Sequence, residues 1–151
     1  MDSTNHHAVK VLNSLIETTL DSAKGYEEAA ENAADTQLRT LFEERSRRRL
    51  DLTRQLQQEV RTFGGDPENE QSMLGKAHNK FVDLKTALTG GPNDKAVVDE
   101  VERGEDVIKA KFEKAMQDEE LPSNARQAVT QAYASIKSDH DEISRLKHSM
   151  H

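Results

Sequence analysis

The chain has no cysteine and no tryptophan, and its 151 residues include only four phenylalanines, two tyrosines and three prolines. Without cysteine there is no disulfide, thiolate metal site or cysteine nucleophile, a composition that fits a reducing compartment. So few aromatic rings argue against a base-stacking platform for nucleic acid. The formal net charge of −7 disfavours phosphate backbones as well. The only dense basic run, Arg45, Arg47, Arg48 and Arg49, comes directly after Glu43 and Glu44. No apolar run approaches a membrane span, and the polar, histidine-containing start lacks the apolar core of a signal peptide. The expectation is a cytoplasmic protein with neither a nucleic-acid nor a membrane partner. At this length the chain fits a single domain, 1–151, able to build its own core.

What is present is helix. Gly64-Gly65-Asp66-Pro67, Gly90-Gly91-Pro92-Asn93 and Pro122-Ser123 are stop signals. A weaker break lies at Asn32 to Asp35, where Asp35 can cap the next helix. Between the breaks run proline-free segments rich in Ala, Glu, Lys, Arg, Gln and Leu, all good helix formers. No segment alternates at the period of a strand. Helices are expected at about 5–32, 36–63, 94–119 and 122–149, each roughly 40 Å long at 1.5 Å per residue. Each carries one apolar face: Leu12, Ile16 and Leu20 on the first, Leu52 and Leu56 on the second, Val101, Ile108 and Phe112 on the third, Val129, Ile136 and Ile143 on the fourth. Equal lengths and single apolar faces describe an all-α four-helix bundle.

Loop lengths bear on topology. Short breaks make the first two helices one antiparallel hairpin and the last two another. The thirty-odd residues between the hairpins allow a crossover along the bundle, with an extra short helix at 72–88 (Leu74, Ala77, Phe81, Leu84, Leu88). That is ferritin-like connectivity; the rival is a simple up-down bundle with a fifth helix.

Four ionisable residues interrupt the apolar faces near one height: Glu27, Arg45, Glu105 and His140. Tyr26, Glu44, Arg48, Glu102 and Asp139 flank them. Buried charge costs several kcal/mol per ion unless it is paired or holds a metal. Two readings account for the layer. In one, Glu27 and Glu105 are balanced by Arg45 and a protonated His140, the planar guanidinium binding carboxylates with both prongs. In the other, carboxylates and imidazole hold a cation.

The chain resembles a bacterial ferritin-like family of four-helix-bundle proteins described as a domain of unknown function. The likeness spans nearly the whole chain and is carried by Leu12-Asn13-Ser14-Leu15-Ile16-Glu17-Thr18, Phe63-Gly64-Gly65, Asp83-Leu84-Lys85-Thr86-Ala87-Leu88-Thr89-Gly90-Gly91, Glu102-Arg103-Gly104-Glu105-Asp106 and His140-Asp141. It implies the ferritin-like fold and, loosely, a stress-related setting. Ferritin-like bundles commonly pair through their long helices, so it also makes a homodimer the candidate assembly. From the wider superfamily it implies an iron or manganese centre with one Glu from each of two helices and Glu-x-x-His from each of the others.

This sequence keeps Glu27 and Glu102 or Glu105 as candidate single carboxylates but has no Glu-x-x-His anywhere. Arg45 would meanwhile project into the layer that a dication would occupy. The favoured reading is therefore a non-catalytic bundle with an ionic layer, needing no cofactor and serving a structural, interaction or stress-related role. The alternative is an atypical iron- or manganese-binding protein or oxidoreductase using Glu27, Glu44, Glu102, Glu105 and His140. A helical adaptor or oligomer, meeting another subunit through Leu15 and Leu50 as exposed apolar positions, is a third class. His6-His7 and His148-x-x-His151 fall at chain ends, where solvated side chains are expected.

Overall fold

The structure, a computed structural model, describes residues 3–69 and 93–150, and its helix ends fall where side chains satisfy free backbone groups. Asp35 accepts from the amides of Gln37 and Leu38 at 2.7 and 3.2 Å and so caps α2, Thr36–Thr62. Asn93 accepts from the Ala96 amide at 3.1 Å and caps α3, Asp94–Met116. At the far end of α2, Gly64 adopts φ 81 while its amide bonds Arg61 and the Gly65 amide bonds Val60. This is a Schellman stop, which a residue with a Cβ resists. Gly65 is needed for a different reason: a Cβ there would lie 2.6 Å from both γ carbons of Val9. The remaining helices are α1, Ser3–Asn32, and α4, Ser123–Met150. Among the described residues there is no strand. The helix expected at 72–88 lies outside the described residues.

Contacts at the two ends of the bundle decide the topology. At one end the Asn13 side chain donates to the Asp66 carbonyl and accepts from the Glu68 amide, so the chain leaving α2 lies along the start of α1. His7, also near that start, meets Asp118 just past α3 at 2.7 Å. At the other end, the amides of Ala34 and Asp35 in the α1–α2 turn donate to the Asp94 carboxylate at 2.7 and 3.0 Å. Helix α2 therefore finishes where α1 begins, whereas α3 starts where α1 finishes. Thus α2 and α3 run parallel. Two antiparallel hairpins in this relation form the ferritin-like bundle, and the up-down alternative, in which α2 and α3 oppose, is ruled out.

The core has two apolar clusters. One gathers Leu12, Leu15, Ile16, Leu56, Val60, Ile108, Phe112, Val129 and Ile136 toward the end where α1 begins. The other gathers Tyr26, Ala29, Phe42, Val97, Val98, Val101 and Ile143 toward the opposite end. Between them lies a polar layer. Helix α1 packs against both α2 and α3, so its buried arc is wider than one apolar face. That corrects one expectation: Leu15 is buried at 3% exposure, while Leu50 on α2 is 38% exposed.

Candidate functional site

The polar layer is built from one turn of each helix. On α2, Arg45 and Arg49 stand one turn apart and both are buried, as are Glu105 on α3 and Asp139 on α4. Arg49 grips Glu105 with both prongs, Nη1 to Oε1 at 2.9 Å and Nη2 to Oε2 at 3.0 Å. The same Nη2 reaches Asp139 Oδ2 at 3.2 Å, and Nη1 donates to Ser22 Oγ at 2.6 Å. Arg45 donates from Nη2 to Glu142 Oε1 at 2.6 Å and faces Asp139 Oδ1 from Nε at 3.5 Å. Its Nε and Nη1 are buried with no hydrogen-bond acceptor among the described residues. Arg48, half exposed, closes the rim with a 3.3 Å contact to Asp139.

Tyr26 organises the α1 side. Its hydroxyl donates to Glu105 Oε1 at 2.7 Å, and its ring centroid lies 5.8 Å from the Arg45 guanidinium carbon and 5.5 Å from that of Arg49. An aromatic face at that range attracts a cation. Burial, then the negative charge of Glu105, pushes the Tyr26 pKa well up against the two arginines, so the phenol stays a neutral donor. For Arg49, burial works against its charge, but the carboxylate of Glu105 and its other partners outweigh burial and raise its pKa. The two guanidiniums and two carboxylates of the layer sum to zero formal charge. Nearby hydroxyls are also satisfied: Ser46 Oγ donates to the Ala23 carbonyl at 2.8 Å and Thr19 Oγ1 to that of Leu15 at 2.7 Å.

Arg45 and Glu105 thus lie in the layer, and two of the residues read from the sequence as its core do not. Glu27 is exposed on α1, 3.3 Å from Lys24 in a surface pair. His140 is half-buried at the α3–α4 rim, with Nε2 2.7 Å from Asp106 and Nδ1 3.2 Å from Asp141. Each sits one residue past the group that enters the core, Tyr26 or Asp139, and one residue is a 100° rotation about a helix. Of the remaining candidate ligands, Glu44 is exposed and Glu102 accepts from Lys147 at 2.8 Å. Glu27, Glu44, Glu102, Glu105 and His140 do not converge.

Arg49 is the residue that sequence reading missed. Its signal is the strict alternation of three- and four-residue steps along the buried face. On α4 that alternation runs 125, 129, 132, 136, 139, 143, selecting Asp139 over His140. On α1 it runs 12, 16, 19, 23, 26, 30, selecting Tyr26. On α2 it passes through 42, 45, 49, 52 and 56, so both arginines occupy core positions.

Ferritin-like folds imply a two-metal centre in this layer, and the donors present do not fit one. A pair of dications needs several carboxylates and imidazoles. Among the described residues the layer supplies two carboxylates already bonded to guanidiniums, one phenol and no buried imidazole. Arg45 and Arg49 also bring positive charge to that space, which repels a dication. A separate group lies at the bundle end: ligand atoms of His7, Asp118 and Glu120 come within 4.8 Å of one another. The His7 hydrogen bond holds the Asp118 carboxyl below its usual range.

The fold is similar to a crystal structure of a two-domain protein from Anabaena variabilis that contains DJ-1/ThiJ/PfpI-like and ferritin-like domains. The TM-score is 0.76 at 19% sequence identity, and the match covers 99% of this chain and 41% of that one. This chain therefore spans less than half the length of that protein, and at this identity the likeness bears on fold alone. No curated protein matches the sequence. No helix among the described residues is long and apolar enough to cross a membrane. Residues 7–118 match the family model described as "Domain of unknown function (DUF2383)". That match takes in most of the chain, which belongs to this family and has the ferritin-like fold.

Proposed function

We propose that the chain is a non-catalytic ferritin-like bundle whose interior charges neutralise one another, and that it acts through structure or protein interaction. The observation that carries this reading is the pairing of Arg49 with both Glu105 and Asp139 in the centre of the bundle. A carboxylate bonded to a guanidinium is a poor ligand for a dication, and a neutral layer has no electrostatic demand for one. The reading needs no cofactor. We propose a cytoplasmic location, which the lack of cysteine supports, with a homodimer as the assembly to examine by sedimentation.

The test is elemental analysis of protein produced in medium supplemented with iron and manganese. The expected content after chelation and gel filtration is well below one equivalent. Retention of one or two equivalents of either metal overturns the reading in favour of an iron- or manganese-binding protein or oxidoreductase.

A further inference from the structure

The layer mismatches a metal centre in chemistry, yet it is drawn from the same four helices. A two-metal ferritin-like site draws one donor from each of two helices and a pair from each of the other two. Here α1 and α3 bring Tyr26 and Glu105 together in the layer. Helix α2 sends Arg45 and Arg49 into the core and half-exposed Arg48 to the rim, and α4 sends Asp139 and the half-exposed Glu142. All four helices still contribute to one layer while the residue types change.

We infer that the guanidiniums of Arg45 and Arg49 stand where a ferritin-like bundle holds its cations, so that the layer is a latent cation site filled by the protein's own positive charge. The inference rests on the reading proposed above. The geometry is specific about the place. Arg49 Nη2 lies 3.0 Å from Glu105 Oε2 and 3.2 Å from Asp139 Oδ2, so oxygens from two helices already converge on one nitrogen. A hard cation at that point would need each oxygen to close by only about 1 Å to reach ligand distance. The Arg45 side adds the Asp139 Oδ1 and Glu142 Oε1 oxygens at 3.5 and 2.6 Å from guanidinium nitrogens. All-oxygen donor sets of this kind suit magnesium, calcium or manganese.

Manganese(II) is the probe, because its free and bound forms separate by electron paramagnetic resonance. The double variant Arg45→Ala/Arg49→Ala is made in a His7→Ala background, which removes the histidine of the His7–Asp118–Glu120 cluster as a competing ligand. Manganese far above its dissociation constant should raise the melting temperature of the double variant by roughly 5–10 °C. The His7→Ala parent should move by about 1 °C or less, within the range of weak surface binding. Adding Glu105→Gln to the double variant should abolish the shift.

Should the double variant be unfolded without metal, recovery of helical circular dichroism on adding manganese is the readout, with Arg49→Ala alone as the milder case. Absence of any manganese response in both variants overturns the inference, as does a response that survives Glu105→Gln. Metal retained by the unsubstituted protein would overturn the proposed function instead, and that measurement precedes any substitution.

Discussion

The middle of the bundle and the rim between α3 and α4 use the same ion-pair chemistry at similar distances. At the rim, Lys147 meets Glu102 at 2.8 Å, His140 meets Asp106 at 2.7 Å and Lys137 meets Asp141 at 2.9 Å. In the interior, Arg49 meets Glu105 at 2.9 Å and Asp139 at 3.2 Å. Distance does not rank them; solvent does. At the rim water screens each charge and replaces a lost partner, so such pairs contribute about 0–1 kcal/mol. In the interior each group has given up its hydration, and a lost partner leaves a bare charge in low dielectric. The two regions therefore predict losses of very different size from the same kind of substitution.

The largest contrast is expected from Arg49→Leu. The change leaves Glu105 with the Tyr26 hydroxyl as its remaining hydrogen-bond partner and removes one of three guanidiniums from Asp139. It should cost about 3–5 kcal/mol in chemical denaturation. Arg49→Leu/Glu105→Leu should recover part of that loss, because removing both partners leaves no unpaired charge, although the Tyr26 hydroxyl loses its acceptor. A double-mutant cycle measures the coupling, and additive losses would mean the two side chains act independently. Next comes Tyr26→Phe, which keeps the ring against both arginines and deletes the bond to Glu105. About 1–2 kcal/mol is expected, read from the denaturation midpoint at unchanged slope.

Arg45→Leu should cost less than either, about 1 kcal/mol or below, even though Arg45 is the arginine that the sequence singles out. Asp139 keeps Arg49 and Arg48, and Glu142 is half exposed and can turn to water. Two guanidinium nitrogens that lack acceptors also leave the interior, which offsets part of the loss. A cost above that of Arg49→Leu would reverse the order of the two arginines and move the centre of the network toward Glu142.

That reversal of emphasis marks where sequence reading stops. The helices, their breaks at Asp35, Gly64 and Asn93, and the two-hairpin plan were legible because capping and periodicity are local properties. The presence of Arg45 and Glu105 in the core was legible too, because each interrupts an otherwise apolar face. Choosing between Tyr26 and Glu27, or Asp139 and His140, was harder because a helical wheel tolerates a one-residue error when small residues border the arc. Ala23, Ala29 and Ala30 are all buried on α1 and blur its edge. Helix α1 also packs on two neighbours, so burial there extends past one stripe and takes in Leu15. Arg49 escaped because four arginines in five positions read as a solvated run, whereas only the bundle's step pattern separates the two that face inward. The pairing of Asp139 with three guanidiniums is a product of tertiary packing and has no signature in local sequence.

The smallest effect belongs to His140, and its pH dependence tests the rim directly. Burial lowers the His140 pKa, but hydrogen bonds to Asp106 and Asp141 outweigh it and the net shift is upward. Lys109 opposes the shift from α3, and Glu113 on the same helix also lies within electrostatic reach. A group whose folded pKa is raised contributes stability in full below its unfolded value, about 6.5, and loses that contribution as pH rises through the folded value. The stability gap between the unsubstituted protein and His140→Gln should therefore be widest near pH 5.5 and close by about pH 8.5. Its size should stay within about 0.5 kcal/mol because both carboxylate partners are solvent-accessible. Since both proteins share every other titrating group, the difference between their melting curves isolates the imidazole. A gap that is flat across this range, or that widens toward alkaline pH, would show that His140 contributes by packing as a neutral ring and would remove the electrostatic difference between rim and interior at this position.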